Sequence, residues 1–180
     1  HIEAKHKKYV FEIANGKGVV DGDVDVAMTA KKLFSISGSV FRGGWPLEGV
    51  QIVAGDIGST ETDKEGKFFF KDVLENTDFS LLPKKKQFTF NPSELKGKLS
   101  SDYETKIDAK KLFTISGTVI HNGVPLEGVE IDGAELGTEY TNAEGVYKFK
   151  DIPEGTKYTL KASKDGFKFG TKNAVVKEGK

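Results

Sequence analysis

The chain has 180 residues and a mass of 19.7 kDa, room for one ordinary domain or two small ones. Its 27 Lys and Arg balance 27 Asp and Glu, and Arg42 is the single arginine, so the basic surface and guanidinium chemistry of a nucleic-acid binder are missing. There is no cysteine, which excludes disulfides, thiolate metal sites and cysteine nucleophiles, while 13 Phe and 5 Tyr supply the bulk for a packed core.

From the N-terminus, HIEAKHKKYV lacks the apolar centre of a signal peptide, and no later apolar run approaches the ~18 residues of a membrane span. Tyr9 and Phe11 form an aromatic-x-aromatic strand pattern. Gly16-Lys17-Gly18 followed by Gly22 misses the dinucleotide-binding spacing. Next comes Asp21-Gly22-Asp23-Val24-Asp25, whose alternate carboxylates read in two ways: as oxygen ligands for Ca²⁺, or as a turn leading into a strand with Asp23 and Asp25 on its polar face. The glutamate that completes a full calcium loop is absent, and no other metal or cofactor is indicated. In the strand reading the strand runs from Asp23 to Ala30, and Val24, Val26 and Met28 carry its apolar face.

From Lys31 the text KKLFSISGSVFRGGWPLEGVQI returns as KKLFTISGTVIHNGVPLEGVEI from Lys110, an offset of 79 residues. The register holds without a gap from Lys31–Leu81 to Lys110–Leu160, with 25 identities in 51 positions. Within one copy Phe34, Ile36, Gly38 and Val40 alternate with serines at period two, and Gly, Asn, Asp and Pro turn signals follow at short intervals. Strands are expected at about 33–41, 50–53, 58–62, 67–73, 78–82, 87–90 and 102–109. The fold class is therefore all-β, with tandem seven-stranded antiparallel β-sandwiches on a 79-residue repeat. Asp63 with Gly66, and Asn142 with Gly145, suit hairpins whose glycine takes positive φ.

The order I-S-G-x-V, P-L-E-G-V, T-[DN]-x-E-G-x-[FY]-x-F and a later aromatic occurs at Ile36–Val40, Pro46–Val50, Thr62–Phe70 and Phe79. It recurs at Ile115–Val119, Pro125–Val129, Thr141–Phe149 and Tyr158. This order resembles the carboxypeptidase regulatory-like domains, and the resemblance implies an immunoglobulin-like, prealbumin-like (transthyretin-like) sandwich. Modules of that kind are strung along prokaryotic surface proteins, attached to secreted hydrolases or placed before outer-membrane transporters. The resemblance thus implies an extracellular or cell-surface location and a context-dependent role. Such surface modules also carry self-formed Lys–Asn bonds; Lys31, Lys32, Lys110 and Lys111 open strands as such a lysine does, but no asparagine stands in the last strand to partner them.

No enzymatic inventory emerges. His1, His6 and His121 are the only histidines and none recurs in the other copy; G-x-S-x-G, P-loop and H-E-x-x-H motifs are absent. Trp45, the single tryptophan, replaces Val124 of the other copy and reads either as a cover over a sandwich end or junction or as a ligand anchor.

The repeat is out of phase with the chain. Residues 1–31 read as the last strands of a preceding or donor repeat, 32–110 as the first sandwich, and 111–180 as a second sandwich without its last strand. Ile107–Phe113 passes from one copy to the next with no Gly, Ser or Pro linker, as expected of a stiff stalk or filament. An uncovered sandwich edge attracts a strand, and Val24, Val26 and Met28 of a neighbouring molecule fit that role. The expected partners are copies of the chain itself or adjacent repeats of one polypeptide, with the covalent and non-covalent versions both open, and residues 1–30 folding back on their own chain is a competing arrangement. The alternative is an accessory or adhesin module that binds a carbohydrate or a protein.

Overall fold

The computed structural model describes residues 4–13, 18–19, 21–169 and the backbone of 172–175. Its strands run β1 (Tyr9–Ile13), β2 (Met28–Arg42), β3 (Trp45–Pro46), β4 (Gln51–Val53), β5 (Ser59–Glu61), β6 (Lys67–Leu74), β7 (Asp78–Lys84), β8 (Phe88–Asn91), β9 (Leu95–Lys98) and β10 (Tyr103–Thr118). They continue as β11 (Ile120–His121), β12 (Val124–Pro125), β13 (Glu130–Asp132), β14 (Thr138–Tyr140), β15 (Val146–Pro153), β16 (Lys157–Ser163) and β17 (Lys172–Val175). The helical pieces among the described residues are the single 3₁₀ turns Gly55–Ile57 and Ala134–Leu136. Two compact units result: His1–Lys85 with Phe90–Ala109, and Lys86–Thr89 with Lys110–Lys180.

In the first unit two sheets enclose one core. Ile36 of β2 lies opposite Phe70 of β6 on one side and Tyr103 of β10 on the other, which makes this part of β2 a middle strand. The facing sheet has the order β5-β4-β7-β9. The period-two pattern seen in the sequence sends Ile36, Val40, Phe68, Phe70 and Ile107 inward from one sheet and Val50, Ile52, Phe79 and Leu81 inward from the other; all are buried.

The second unit repeats much of this. β10 pairs with β15 through Leu112–Thr118, and the facing sheet has the order β14-β13-β16-β17 around Val129, Ile131, Phe149, Ile152 and Leu160. Bonds recur at the 79-residue offset. The Thr62 hydroxyl donates to the Leu47 carbonyl (2.6 Å) and accepts from the Val50 N–H (2.9 Å); Thr141 does the same with Leu126 (2.7 Å) and Val129 (2.8 Å). These buried threonines, just past β5 and β14, open the T-[DN]-x-E-G motif and tie it to the P-L-E-G-V loop, which is why the two motifs travel together. Lys85 and Lys164 close the same loops by donating to the carbonyls of Glu48 and Glu127, each at 2.9 Å.

Two features depart from the sequence expectation, and a third follows an arrangement it left open. β9 was not foreseen; it pairs with β7 from Asp78↔Lys98 to Leu81↔Leu95. A strand was expected throughout 23–30, but pairing begins only at Met28, and Asp23–Ala27 carry no strand assignment. Residues 1–31 read as the last strands of another repeat, with folding back on the chain itself as the competing arrangement; here β1 pairs antiparallel with the start of β2, from Tyr9↔Lys32 to Ile13↔Met28. The fold-back satisfies main-chain groups that would otherwise face solvent unpaired.

Candidate functional site

The feature that distinguishes the two units is the lateral edge of their first strand. In the first unit that edge, Ile36–Arg42, is covered by Tyr103–Ala109 in parallel register, from Tyr103↔Ile36 through Ile107↔Val40 to Ala109↔Arg42. Alternation aims Ile107 (0% exposed) and Ala109 (3%) into the core and leaves Glu104, Lys106 and Asp108 outside, with the Lys106 ammonium 4.6 Å from the Phe41 ring centroid.

The pairing starts at a latch. The Asp102 carboxylate accepts from the Ser35 main-chain N–H (2.8 Å) and from the Ser35 hydroxyl (3.0 Å). These two bonds, the backbone one foremost, hold the Asp102 carboxyl below its ordinary value, with Lys8 and Lys32 adding a smaller pull in the same direction. Gly38 leaves no room for a side chain: a Cβ there would stand 2.6 Å from the Thr105 carbonyl oxygen and 2.6 Å from the Phe68 ring.

In the second unit the equivalent edge is Ile115–His121, and among the described residues no strand pairs along it. Burial changes where this predicts. Ile36 and Val40 are sealed, whereas their counterparts Ile115 and Val119 are only half-buried; Phe68 is buried and its counterpart Tyr147 is half-buried. Two pairs in the P-L-E-G-V region stay matched: Val50 and Val129 are both 0% exposed, and Ile52 and Ile131 are 0% and 2%. Ser116, Thr118 and Ile120 are exposed along the uncovered edge.

The residues singled out from sequence fall as follows. Val24 is 60% exposed, Met28 39% exposed and Val26 half-buried, so the three apolar side chains are not enclosed within the chain. Asp21, Asp23 and Asp25 are all exposed, and among the described residues no group of three His, Asp or Glu side chains is gathered as a metal cage would be. Trp45 is 78% exposed and pairs through its backbone with Arg42. Lys31 pairs with Glu12 at 2.7 Å, while the Lys32 and Lys111 ammonium groups lie 5.0 and 5.4 Å from the ring centroids of Phe34 and Phe113. The latch of Asp102 on Ser35 was missed. Its signal was present, because at the 79-residue offset Asp102 corresponds to Asp23 and Ser35 to Thr114, and both chemistries are kept.

No family model matches the chain. It is 28% identical over 149 residues to a chitinase, ChiA of Flavobacterium johnsoniae, a match covering 78% of this chain but 9% of that protein. The chain therefore spans about a tenth of the length of that relative. Among solved structures it resembles the TIE protein of Bacillus anthracis, with 16% identity, 86% of this chain and 35% of that one covered, and a TM-score of 0.39. It also resembles the shaft pilin SpaA of Lactobacillus rhamnosus GG (8% identity, 80% and 93% covered, TM-score 0.37) and a minor pilin of Streptococcus agalactiae (15%, 81% and 91%, 0.39). TM-scores at this level do not establish a common fold, and the all-β class rests on the strands themselves. Among the described residues no helix is long and apolar enough to cross a membrane.

Proposed function

We propose that this chain is a non-enzymatic structural module of an extracellular, cell-surface polypeptide, in which β-sandwiches are joined in series as a stalk or filament. The observation that carries the reading is β10. Its residues Tyr103–Ala109 complete the first unit, and after Lys110 the same strand supplies the opening strand of the second, with no linker residue between. One strand that closes a sandwich and begins the next lets modules be added without limit, within one polypeptide or by strand addition from a neighbour. The carboxypeptidase regulatory-like motif order and the similarity to a stretch of a chitinase support placement in secreted or surface polypeptides.

The test is small-angle scattering on chains of two, three and four repeats. The maximum dimension is expected to rise by a constant increment per repeat. Dimensions that saturate, or that grow as the square root of repeat number as in a flexible chain, would contradict a stalk.

A second reading, an accessory module with a carbohydrate ligand, draws on the chitinase similarity and the exposed Trp45. Retention of the chain on chitin, lost on Trp45→Ala, would favour it over the stalk.

A further inference from the structure

We infer that the outer face of the β14-β13-β16 sheet carries a binding site for a neutral oligosaccharide, with Tyr140 as its stacking platform and Glu130 as its fixed hydrogen-bond acceptor. The inference rests on the carbohydrate reading above, to which it gives a place and a ligand class, and it leaves the stalk reading untouched.

The site is built across three neighbouring strands. Glu130 of β13 lies opposite Tyr140 of β14 on one side and opposite Ser163 of β16 on the other. Directly opposed residues share a face, and because Val129 and Ile131 on either side of Glu130 are buried, that face is the outer one. At about 4.8 Å between strands, ring, carboxylate and hydroxyl stand in a row roughly 10 Å long, the reach of two sugar rings. The row borders a groove of about 540 Å³ whose lining also includes Lys164, Asp165 and Phe167. Small-ligand sites ordinarily hold ~300–1,000 Å³.

The chemistry selects the ligand. Tyr140 is 59% exposed, whereas Tyr103, Tyr147 and Tyr158 are half-buried. Its hydroxyl donates to Glu130 Oε2 at 3.1 Å, which orients the ring and the carboxylate together. An exposed ring face packs on the C–H face of a pyranose, and a carboxylate has further lone pairs that accept charge-assisted bonds from sugar hydroxyls. A phosphate or an acidic sugar would meet Glu130 and Asp165. It would also find Lys164 engaged, since that ammonium donates to the carbonyls of Glu127 and Gly128 at 2.9 and 3.4 Å. A cationic ligand would meet the same ammonium. A neutral polyol uses ring, acceptor and hydroxyl at once.

The site is particular to the second unit. At the 79-residue offset Tyr140, Glu130 and Ser163 become Glu61, Gln51 and Lys84, opposed in the same register but without a ring. The sheet therefore forms without Tyr140. One wall of the groove is steadied by its aromatic neighbours: Phe167 stacks on Phe169 with centroids 6.3 Å apart, and the His121 ring meets Phe167 edge-on at 5.2 Å. Phe88 and Phe90, one repeat earlier and followed by the whole of the second unit, are half-buried just as Phe167 and Phe169 are, so this wall does not depend on what comes after it.

The test is amide chemical-shift mapping of the whole chain with cellohexaose, maltohexaose, xylohexaose and the hexamer of N-acetylglucosamine, and with choline as a cationic probe. A neutral sugar is expected to move the amides of residues 128–130, 139–141 and 161–167 and to leave those of residues 49–51, 60–62 and 82–86 still. Affinity is expected to fall at least about tenfold in Tyr140→Ala and less than about threefold in Tyr140→Phe, which keeps the ring and loses the bond to Glu130. The spectrum of each variant reports whether its fold is kept, and Glu130→Gln, which preserves side-chain shape, provides a second variant expected to weaken binding. Sugar binding that survives Tyr140→Ala and is lost in Trp45→Ala overturns this site and leaves the carbohydrate reading standing. No shift with any of the sugars overturns both. Shifts at the groove with choline and with no sugar assign it to a cation and overturn the inference as well.

Discussion

Ile107→Ala is expected to destabilise the first unit by about 2–5 kcal/mol, the usual cost of emptying a fully buried Ile site, whereas Met28→Ala in dilute solution should cost less than about 1 kcal/mol. The two residues occupy the same position in successive repeats. What differs is cover. Ile107 is 0% exposed, seated between the sheets through its pairing with Val40, while Met28 is 39% exposed. The comparison isolates the energetic worth of the strand that closes a sandwich, because side-chain size and repeat position are held nearly constant. Urea denaturation of both variants at low protein concentration measures it. Equal losses would mean that residues 103–109 add little to the first unit.

Gly66→Ala is expected to cost about 3 kcal/mol or more, combining the penalty for a non-glycine residue at positive φ with a steric clash that the backbone must relieve. Gly66 has φ of 72°, and a Cβ there would stand 2.5 Å from the Val40 carbonyl oxygen and 3.1 Å from the Leu47 nitrogen. Those atoms belong to the main chain on either side of the crossing: the Val40 N–H donates to the Gly66 carbonyl at 2.8 Å and the Leu47 N–H donates to the Val40 carbonyl at 2.9 Å. Neither can retreat without breaking the other's bond. Gly43, at φ 57° with nothing within 4 Å of its Cβ position, provides the comparison; Gly43→Ala should lose only about 1 kcal/mol. Thermal melts of the two variants separate the terms, and equal shifts would remove the steric one. Gly145 has the same surroundings in the second unit, with the Val119 carbonyl and Leu126 nitrogen in the matching places.

The strands that sequence made legible are those with a periodic apolar face. Phe34, Ile36 and Val40, or Phe68 and Phe70, announce a buried side by alternation, and the hairpin at Asp63–Gly66 announces itself through turn chemistry. There the Asp63 carboxylate accepts from the N–H groups of Glu65 and Lys67, each at 2.9 Å. β9 is hard to read because, although Leu95, Gly97 and Leu99 alternate with Lys96 and Lys98, Gly97 at its centre carries no side chain and reads as a turn signal; the strand is held by main-chain pairing to β7, and Leu99, at 1% exposed, lies just past its end. The strand at Val24–Met28 was expected from alternation alone. Alternation records which residues want a core, and in the single chain that segment has none beside it, so the pairing starts only where β1 reaches it. Asp102 and Ser35 lie 67 residues apart and outside any family motif quoted for this chain. Only the parallel placement of Tyr103–Ala109 beside β2 brings them together, and no local pattern encodes that placement.

Charge balance fits this role. With 27 residues of each sign the chain has no long-range field to keep like modules apart, and recognition falls to strand edges, apolar knobs and a carboxylate latch. The account turns on one contrast, a covered edge at Ile36–Arg42 and an uncovered one at Ile115–His121. Amide hydrogen exchange at these two stretches tests it most directly. Protection of the amides of residues 36–42 on the side that faces β10, with the amides of residues 115–121 on the side away from β15 exchanging fast, is the predicted result. Equal protection of both edges would contradict it.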